Sequence, residues 1–87
     1  MSFNLVYTRR AEKDIKKLDS SIKRNIGKTL LKLQDNPLLY SEKLSNPELG
    51  TYKYRIGDYR VVFDIEDNDI VILRVGHRRE IYKRLRQ

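Results

Sequence analysis

Lys53, Arg55 and Arg60 stand close together in the second half of the chain, and Arg78, Arg79, Tyr82 and Lys83 follow near its end. These are residue types that handle a phosphate. The guanidinium group is a planar fork that matches two anionic oxygens, while a lysine ammonium is a compact charge able to hold or move a proton. A tyrosine among arginines fits the stacking of a base beside a phosphate contact. His77 is the one histidine. It is the natural acid–base candidate by type, although a lone histidine beside Gly76 has the plainer reading of completing a turn. The chain has no cysteine. That excludes a disulfide scaffold, thiol chemistry and a Cys-ligated metal, and a single histidine argues against a His-rich zinc site. The expectation is therefore a basic, phosphate-directed site with no metal and no cofactor.

The distribution of charge sharpens this. The chain has 87 residues and a formal net charge of +7. A pI near 9.8 suggests a polyanionic partner, most often nucleic acid. The plainer explanation is solubility, for which a net charge of about 2–8 is ordinary in a small domain. Seven of the ten basic residues among the first fifty are Lys, whereas seven of the nine in 51–87 are Arg. The segment from Arg74 onward is the densest, with Glu80 its only acidic residue. Asp64, Glu66, Asp67 and Asp69 cluster instead between two apolar runs, as at a solvated hairpin tip. The length fits one domain over 1–87 and leaves no room for a dinucleotide fold or a barrel enzyme. The longest apolar run, Ile70 to Leu73, is four residues, too short for a membrane span, and no signal peptide is expected. The expected setting is cytoplasmic.

The elements that position the cations follow from periodicity. Phe3, Leu5 and Tyr7 alternate and read as a short strand. Thr8 then caps a helix with Ala11, Ile15 and Leu18 on one face. Asp19-Ser20-Ser21 breaks and recaps the chain. Ile22, Ile26, Leu30 and Leu33 continue at helical spacing until Asn36-Pro37. Residues 37–50 read as an ordered loop or a short helical turn. The period then changes to two. Tyr52, Tyr54 and Ile56 form one strand, and Gly57-Asp58 a tight turn. Tyr59, Val61, Phe63 and Ile65 form the next strand, and residues 70–75 the last. A short basic helix is expected over about 79–86. The fold is α+β: β-α-α-β-β-β, with a helical hairpin on one face of an antiparallel-rich sheet and a short C-terminal helix.

Alternation also assigns faces. With Tyr52, Tyr54, Ile56, Val61, Phe63 and Ile65 under the helices, Lys53, Arg55 and Arg60 point to the opposite, open face. Like charges gathered there without an interleaved carboxylate repel unless an anion fills the gap. A wet polar sheet face is the plainer alternative.

These residues resemble the RelE/ParE toxin superfamily of toxin–antitoxin systems over nearly the whole chain. The resemblance rests on Phe3-Asn4-Leu5-Val6-Tyr7, the paired helices and Tyr52-Lys53-Tyr54-Arg55-Ile56. It continues through Gly57-Asp58-Tyr59-Arg60-Val61-Val62-Phe63 and Val75-Gly76-His77-Arg78 with Tyr82. The nearer likeness is to RelE-type toxins, ribosome-dependent endoribonucleases that cut messenger RNA in the decoding site. The resemblance implies a catalytic set of Lys53, Arg55, Arg60, Arg78 and Tyr82. Arg79 and Lys83 are read as added RNA contacts and His77 as a reserve acid. Two positions depart from the family pattern: Arg55 stands where Lys is familiar, and the segment from Arg78 to Tyr82 is short.

In the implied mechanism the RNA 2′-hydroxyl attacks the adjacent phosphate, giving a 2′,3′-cyclic phosphate and a free 5′-hydroxyl without a metal. Lys53 is the expected general base, a role an amine takes only where neighbouring cations favour its neutral form. Arg55 and Arg60 would hold the nonbridging oxygens, Arg78 the leaving oxygen, and Tyr82 a base. The implied partners are a cognate antitoxin, in a higher-order hetero-oligomer, and the ribosome with its message. Two other readings stay open: a ParE-like inhibitor of DNA gyrase without RNase activity, and a noncatalytic RNA- or ribosome-binding module. Retention of Lys53, Arg60 and Arg78 together favours the RNase branch.

Overall fold

The computed structural model describes residues 2–44 and 50–83. Among these the order is β1 (Asn4–Tyr7), α1 (Arg9–Lys16), α2 (Ser20–Asp35), β2 (Glu42–Lys43), β3 (Tyr52–Ile56), β4 (Tyr59–Glu66), β5 (Asp69–His77) and α3 (Arg78–Tyr82). The strands form one five-stranded sheet in the order β1-β5-β4-β3-β2. β1 runs parallel to β5 and the remaining pairs are antiparallel. The fold is thus α+β, as the periodicities require. No helix among the described residues is long and apolar enough to cross a membrane.

One hydroxyl organises the start of the chain. Thr8 Oγ1 accepts from Ala11 N–H at 3.1 Å, capping α1, and donates to the Ile72 carbonyl at 2.9 Å, tying that cap to β5. The apolar stripes of both helices then close over the sheet. Ala11, Ile26, Leu30 and Leu33 bury against Val61, Phe63, Ile70, Ile72 and Val75, with Tyr52, Tyr54, Ile56 and Ile65 packed at the margin. This is the face that alternation assigns to the helices. Phe3, just before β1, and Leu5 within it join this core, whereas Tyr7 is exposed.

The β3–β4 hairpin turns on Gly57, whose φ of +59° gives the backbone twist that a two-residue hairpin needs. At the other end of β4, the Asp67-Asn68 turn joins β5, and the acidic cluster stands at this tip. Asp64 is committed locally: its Oδ1 accepts from Thr51 N–H at 2.8 Å.

Four sequence expectations are corrected. The segment read as a loop or helical turn contributes β2, a two-residue edge strand pairing Glu42 with Lys53 and Lys43 with Tyr52. Two residues carry no readable period, so the pairing is set by β3 and not by the segment itself; residues 45–49 lie outside the described ones. The terminal helix begins at Arg78, and its expected residues beyond 83 also lie outside.

Third, the face opposite the helical hairpin is partly closed. Val62 is fully buried there and Ile81 of α3 nearly so. A Cβ at Gly50 would lie 2.6 Å from Val62 Cγ1 and 3.0 Å from Leu73 Cδ1, so only glycine lets the chain pass this close. A register shift between Val62 and Phe63 places an extra residue, Leu73, on β5.

Fourth, Arg74 does not belong with the exposed basic tail. β1 covers β5 only as far as Ile72, which leaves the next edge N–H of β5 unpaired. Buried Asp14 of α1 supplies the missing acceptor. Its Oδ2 accepts from Val75 N–H at 3.0 Å and from Arg74 Nε at 2.8 Å. Arg74 is thereby a structural ion pair that fastens α1 to the sheet edge.

Candidate active site

The cations of β3 and β4 and those of α3 line one concave site of about 550 Å³. From the sheet come Lys53 and Arg55 of β3 and Arg60 of β4. From the other side come Arg78, Arg79, Glu80 and Tyr82 of α3, followed by Lys83. Arg55 and Arg60 are directly opposed across the β3–β4 ladder. The site therefore gathers six cations, one carboxylate and one aromatic ring.

Each cation is held differently. Arg60 is only 8% exposed, and its Nη1 donates to the carbonyls of Gly57 at 2.8 Å and Tyr59 at 2.9 Å. One nitrogen is thus committed to the hairpin backbone, which fixes the guanidinium plane before any ligand arrives. Arg55 lies at the rim with Nε 3.7 Å from Glu42 Oε1, a contact made available by β2. Arg78 opens α3. Its N–H donates to the Asp58 carbonyl at 2.8 Å, and its Nε lies 4.0 Å from Asp58 Oδ1. The tight β3–β4 turn thereby sets where α3 starts. Both ion pairs are exposed and individually weak. The expectation of a cation cluster without carboxylates is accordingly corrected: Glu42 and Asp58 temper the rim, and Glu80 lines the cavity.

Tyr82 is half-buried, with its ring facing Lys53, whose Nζ lies 5.9 Å from the ring centroid. That is within the reach of a cation–π contact. The Tyr82 hydroxyl is buried without a hydrogen-bond partner among the described residues. Both the wall of the cavity and the closing of α3 use this one side chain.

His77 is not brought into the cavity. It is the N-cap of α3, its Nδ1 accepting from Arg79 N–H at 3.2 Å. Its ring meets Tyr59 edge-on at 5.5 Å between centroids. Nδ1 is thus committed to the helix cap, and the ring stands outside the residues that line the cavity. Lys53, Arg55, Arg60, Arg78, Arg79, Tyr82 and Lys83, by contrast, are brought together.

Three participants lacked a prominent sequence signal. Glu80 stands out only as the sole acidic residue of the basic tail. Asp58 is readable as a turn residue but not as the partner of Arg78. Glu42 acquires its role from a strand too short to show a pattern.

A fold of this topology with a cation-lined cavity between sheet and terminal helix invites comparison with known proteins. Residues 5–82 match the family described as the ParE toxin of the type II toxin–antitoxin system parDE. The chain belongs to the RelE/ParE toxin superfamily. It is 33% identical to toxin RelG of Mycobacterium tuberculosis, over 97% of this chain and 100% of that protein. It is 30% identical to the mRNA interferase toxin RelE of Escherichia coli, over 94% of this chain and 92% of that protein. Among solved structures it is similar to a chain in the toxin–antitoxin complex RelBE2 from Mycobacterium tuberculosis. The TM-score there is 0.80 at 30% identity, covering 88% of this chain and 99% of that one.

Proposed function

We propose that this chain is the toxin of a toxin–antitoxin pair and that it cleaves messenger RNA on the ribosome. The observation that carries the reading is the gathering of Lys53, Arg55, Arg60, Arg78 and Tyr82 in one cavity, with Arg60 pre-oriented by two backbone carbonyls. The likeness to proteins named RelE and RelG supports it.

RNA carries its own nucleophile. The 2′-hydroxyl attacks the adjacent phosphorus in line, and the products are a 2′,3′-cyclic phosphate and a 5′-hydroxyl. The work left to the protein is mostly electrostatic. Arg60 and Arg55 hold the nonbridging oxygens as charge builds on them, the kind of term that dominates such reactions. Arg78 faces the leaving oxygen, Lys53 handles a transferred proton, Tyr82 stacks on a base, and Arg79 and Lys83 hold flanking phosphates. The ribosome supplies alignment, which is worth about 7–11 kcal/mol of a barrier when complete. Cleavage of free RNA is therefore slow. A cognate antitoxin would neutralise the toxin, a role supported by the likeness to a chain within a toxin–antitoxin complex.

The test is to incubate the purified protein with programmed ribosomes and map message ends by primer extension, with Lys53→Ala/Arg60→Ala as control. New ends made only by the unaltered protein are expected. Absence of new ends together with inhibition of gyrase supercoiling would replace this reading with the second one, which the ParE description of the matching family favours.

A further inference from the structure

α3 is tied at its start by two hydrogen bonds, and further on Ile81 packs against Gly76. The first bond runs from Arg78 N–H to the Asp58 carbonyl at 2.8 Å. The second is the cap, in which His77 Nδ1 accepts from Arg79 N–H at 3.2 Å. Apolar packing and a backbone bond contain no titratable group, whereas the cap does. It needs a lone pair on Nδ1, and hence the neutral imidazole with its proton on Nε2. The imidazolium carries a proton on both nitrogens and is a donor only. It would meet the Arg79 N–H donor to donor.

The ring is fixed in this role by the sheet. His77 pairs with Tyr59 at the end of the β4–β5 ladder, and the two rings meet edge-on at 76°. The charged groups around it are otherwise occupied. Asp58 of the β3–β4 turn faces Arg78, and Asp14 of α1 is taken up at β5 by Arg74 and Val75 N–H, with Arg10 beside it. α3 brings Arg78 and Arg79 against Glu80 alone. Among the described residues no carboxylate pairs with the imidazole. A proton gained by His77 thus breaks the cap and adds a charge beside two arginines.

We propose that His77 is a positioning residue for the cavity: its neutral imidazole holds the first turn of α3, and its protonation releases the wall that carries Arg79, Tyr82 and Lys83. It acts through the helix and does not touch the substrate. The consequence for cleavage rests on the RNA-cleavage reading, whereas the cap does not. The direction follows from the lone pair. The cap is made while the imidazole is neutral and is lost as pH falls and the ring takes up its proton. Cleavage then declines with acidity for a reason separate from any proton moved in the reaction.

The experiment compares unaltered protein, His77→Asn and His77→Ala. An asparagine side chain caps a helix well and does not titrate. In the free protein, NMR follows the Arg79 amide and the His77 ring from about pH 8 to about pH 5, where imidazoles in general change charge. Single-turnover cleavage on programmed ribosomes is measured over the same interval. The Arg79 amide resonance should move in step with the ring in the unaltered protein and stay in place in His77→Asn. At the upper end His77→Ala should cleave about 5–30-fold more slowly, the effect of losing one helix cap, and His77→Asn should cleave near the unaltered rate. The rate of His77→Asn relative to unaltered protein should rise as pH falls. An asparagine variant as slow as the alanine variant overturns the proposal, because the ring would then act other than as a cap. So does an Arg79 amide that ignores the titration of the ring, or a relative rate that does not change with pH. If His77→Ala does not fold, the Arg79 amide and the asparagine variant decide. If the unaltered protein cuts no message, the RNA-cleavage reading fails, and the Arg79 amide still decides whether His77 holds α3.

Discussion

Arg60 is the residue around which the site is arranged. Its Nη1 is held by the Gly57 and Tyr59 carbonyls, and the rest of its guanidinium is left for a ligand. Arg60→Ala removes an oxyanion partner and should lower single-turnover cleavage by about 10²–10³-fold. Arg60→Lys should recover little of this, because one ammonium cannot satisfy two carbonyls and a phosphate oxygen in a fixed plane. Cleavage by Arg60→Lys close to the unaltered rate would show that charge alone suffices there. At this scale the sequence is partly legible. Alternation of Tyr52, Tyr54 and Ile56 forces Lys53 and Arg55 onto one face, and Arg60 follows from the next strand. The holding contacts are not legible, since nothing in local periodicity says which carbonyl or carboxylate a side chain will meet across the fold.

α3 carries half of the cavity and is fastened by very little. Ile81 buries over the sheet at Gly76, and Arg78 N–H is tied to the β3–β4 turn. Ile81→Ala should cost about 2–3 kcal/mol, felt first as local opening of the terminal helix. Amide exchange should quicken over 78–83 while Val61 and Phe63 stay protected, and cleavage should fall with it. Uniform loss of protection would instead make α3 part of the main cooperative unit. The sheet edge is secured differently. Asp14→Ala leaves Arg74 part-buried and the Val75 N–H unpaired, at a cost of about 3 kcal/mol. Thermal unfolding should fall by about 4–8 °C for each kcal/mol, and Asp14→Leu/Arg74→Met should recover only the part due to the uncompensated arginine, because the Val75 N–H stays unpaired. A melting temperature unchanged by Asp14→Ala would contradict the role given to that pair. The helices, the four longer strands and the Gly57 turn are all readable from period and punctuation. β2 is not, because two residues cannot show a period. The closing of the open face by Val62, Gly50 and Ile81 depends on packing between distant segments.

For the whole molecule, the excess of +7 is divided by the fold. The helical lysines face solvent, the acidic tip stands at the far end of β4, and six cations share the cavity. Binding of single-stranded RNA should therefore weaken with salt, with a slope of log K against log salt of about −3 to −4, as for some five phosphates neutralised. Reversal of cavity charges should flatten that slope, and reversal of helix-face lysines such as Lys28 should not. Equal effects at both places would mean that the net charge, and not its placement, governs binding. On the function proposed above, the cavity makes the RNA attack itself. The most direct measurement uses a message in programmed ribosomes carrying a single 2′-deoxy nucleotide at the mapped cleavage position. This message should stay intact while the all-ribose message is cut to a 2′,3′-cyclic phosphate end. Cleavage of the deoxy message at the same position and rate would contradict it.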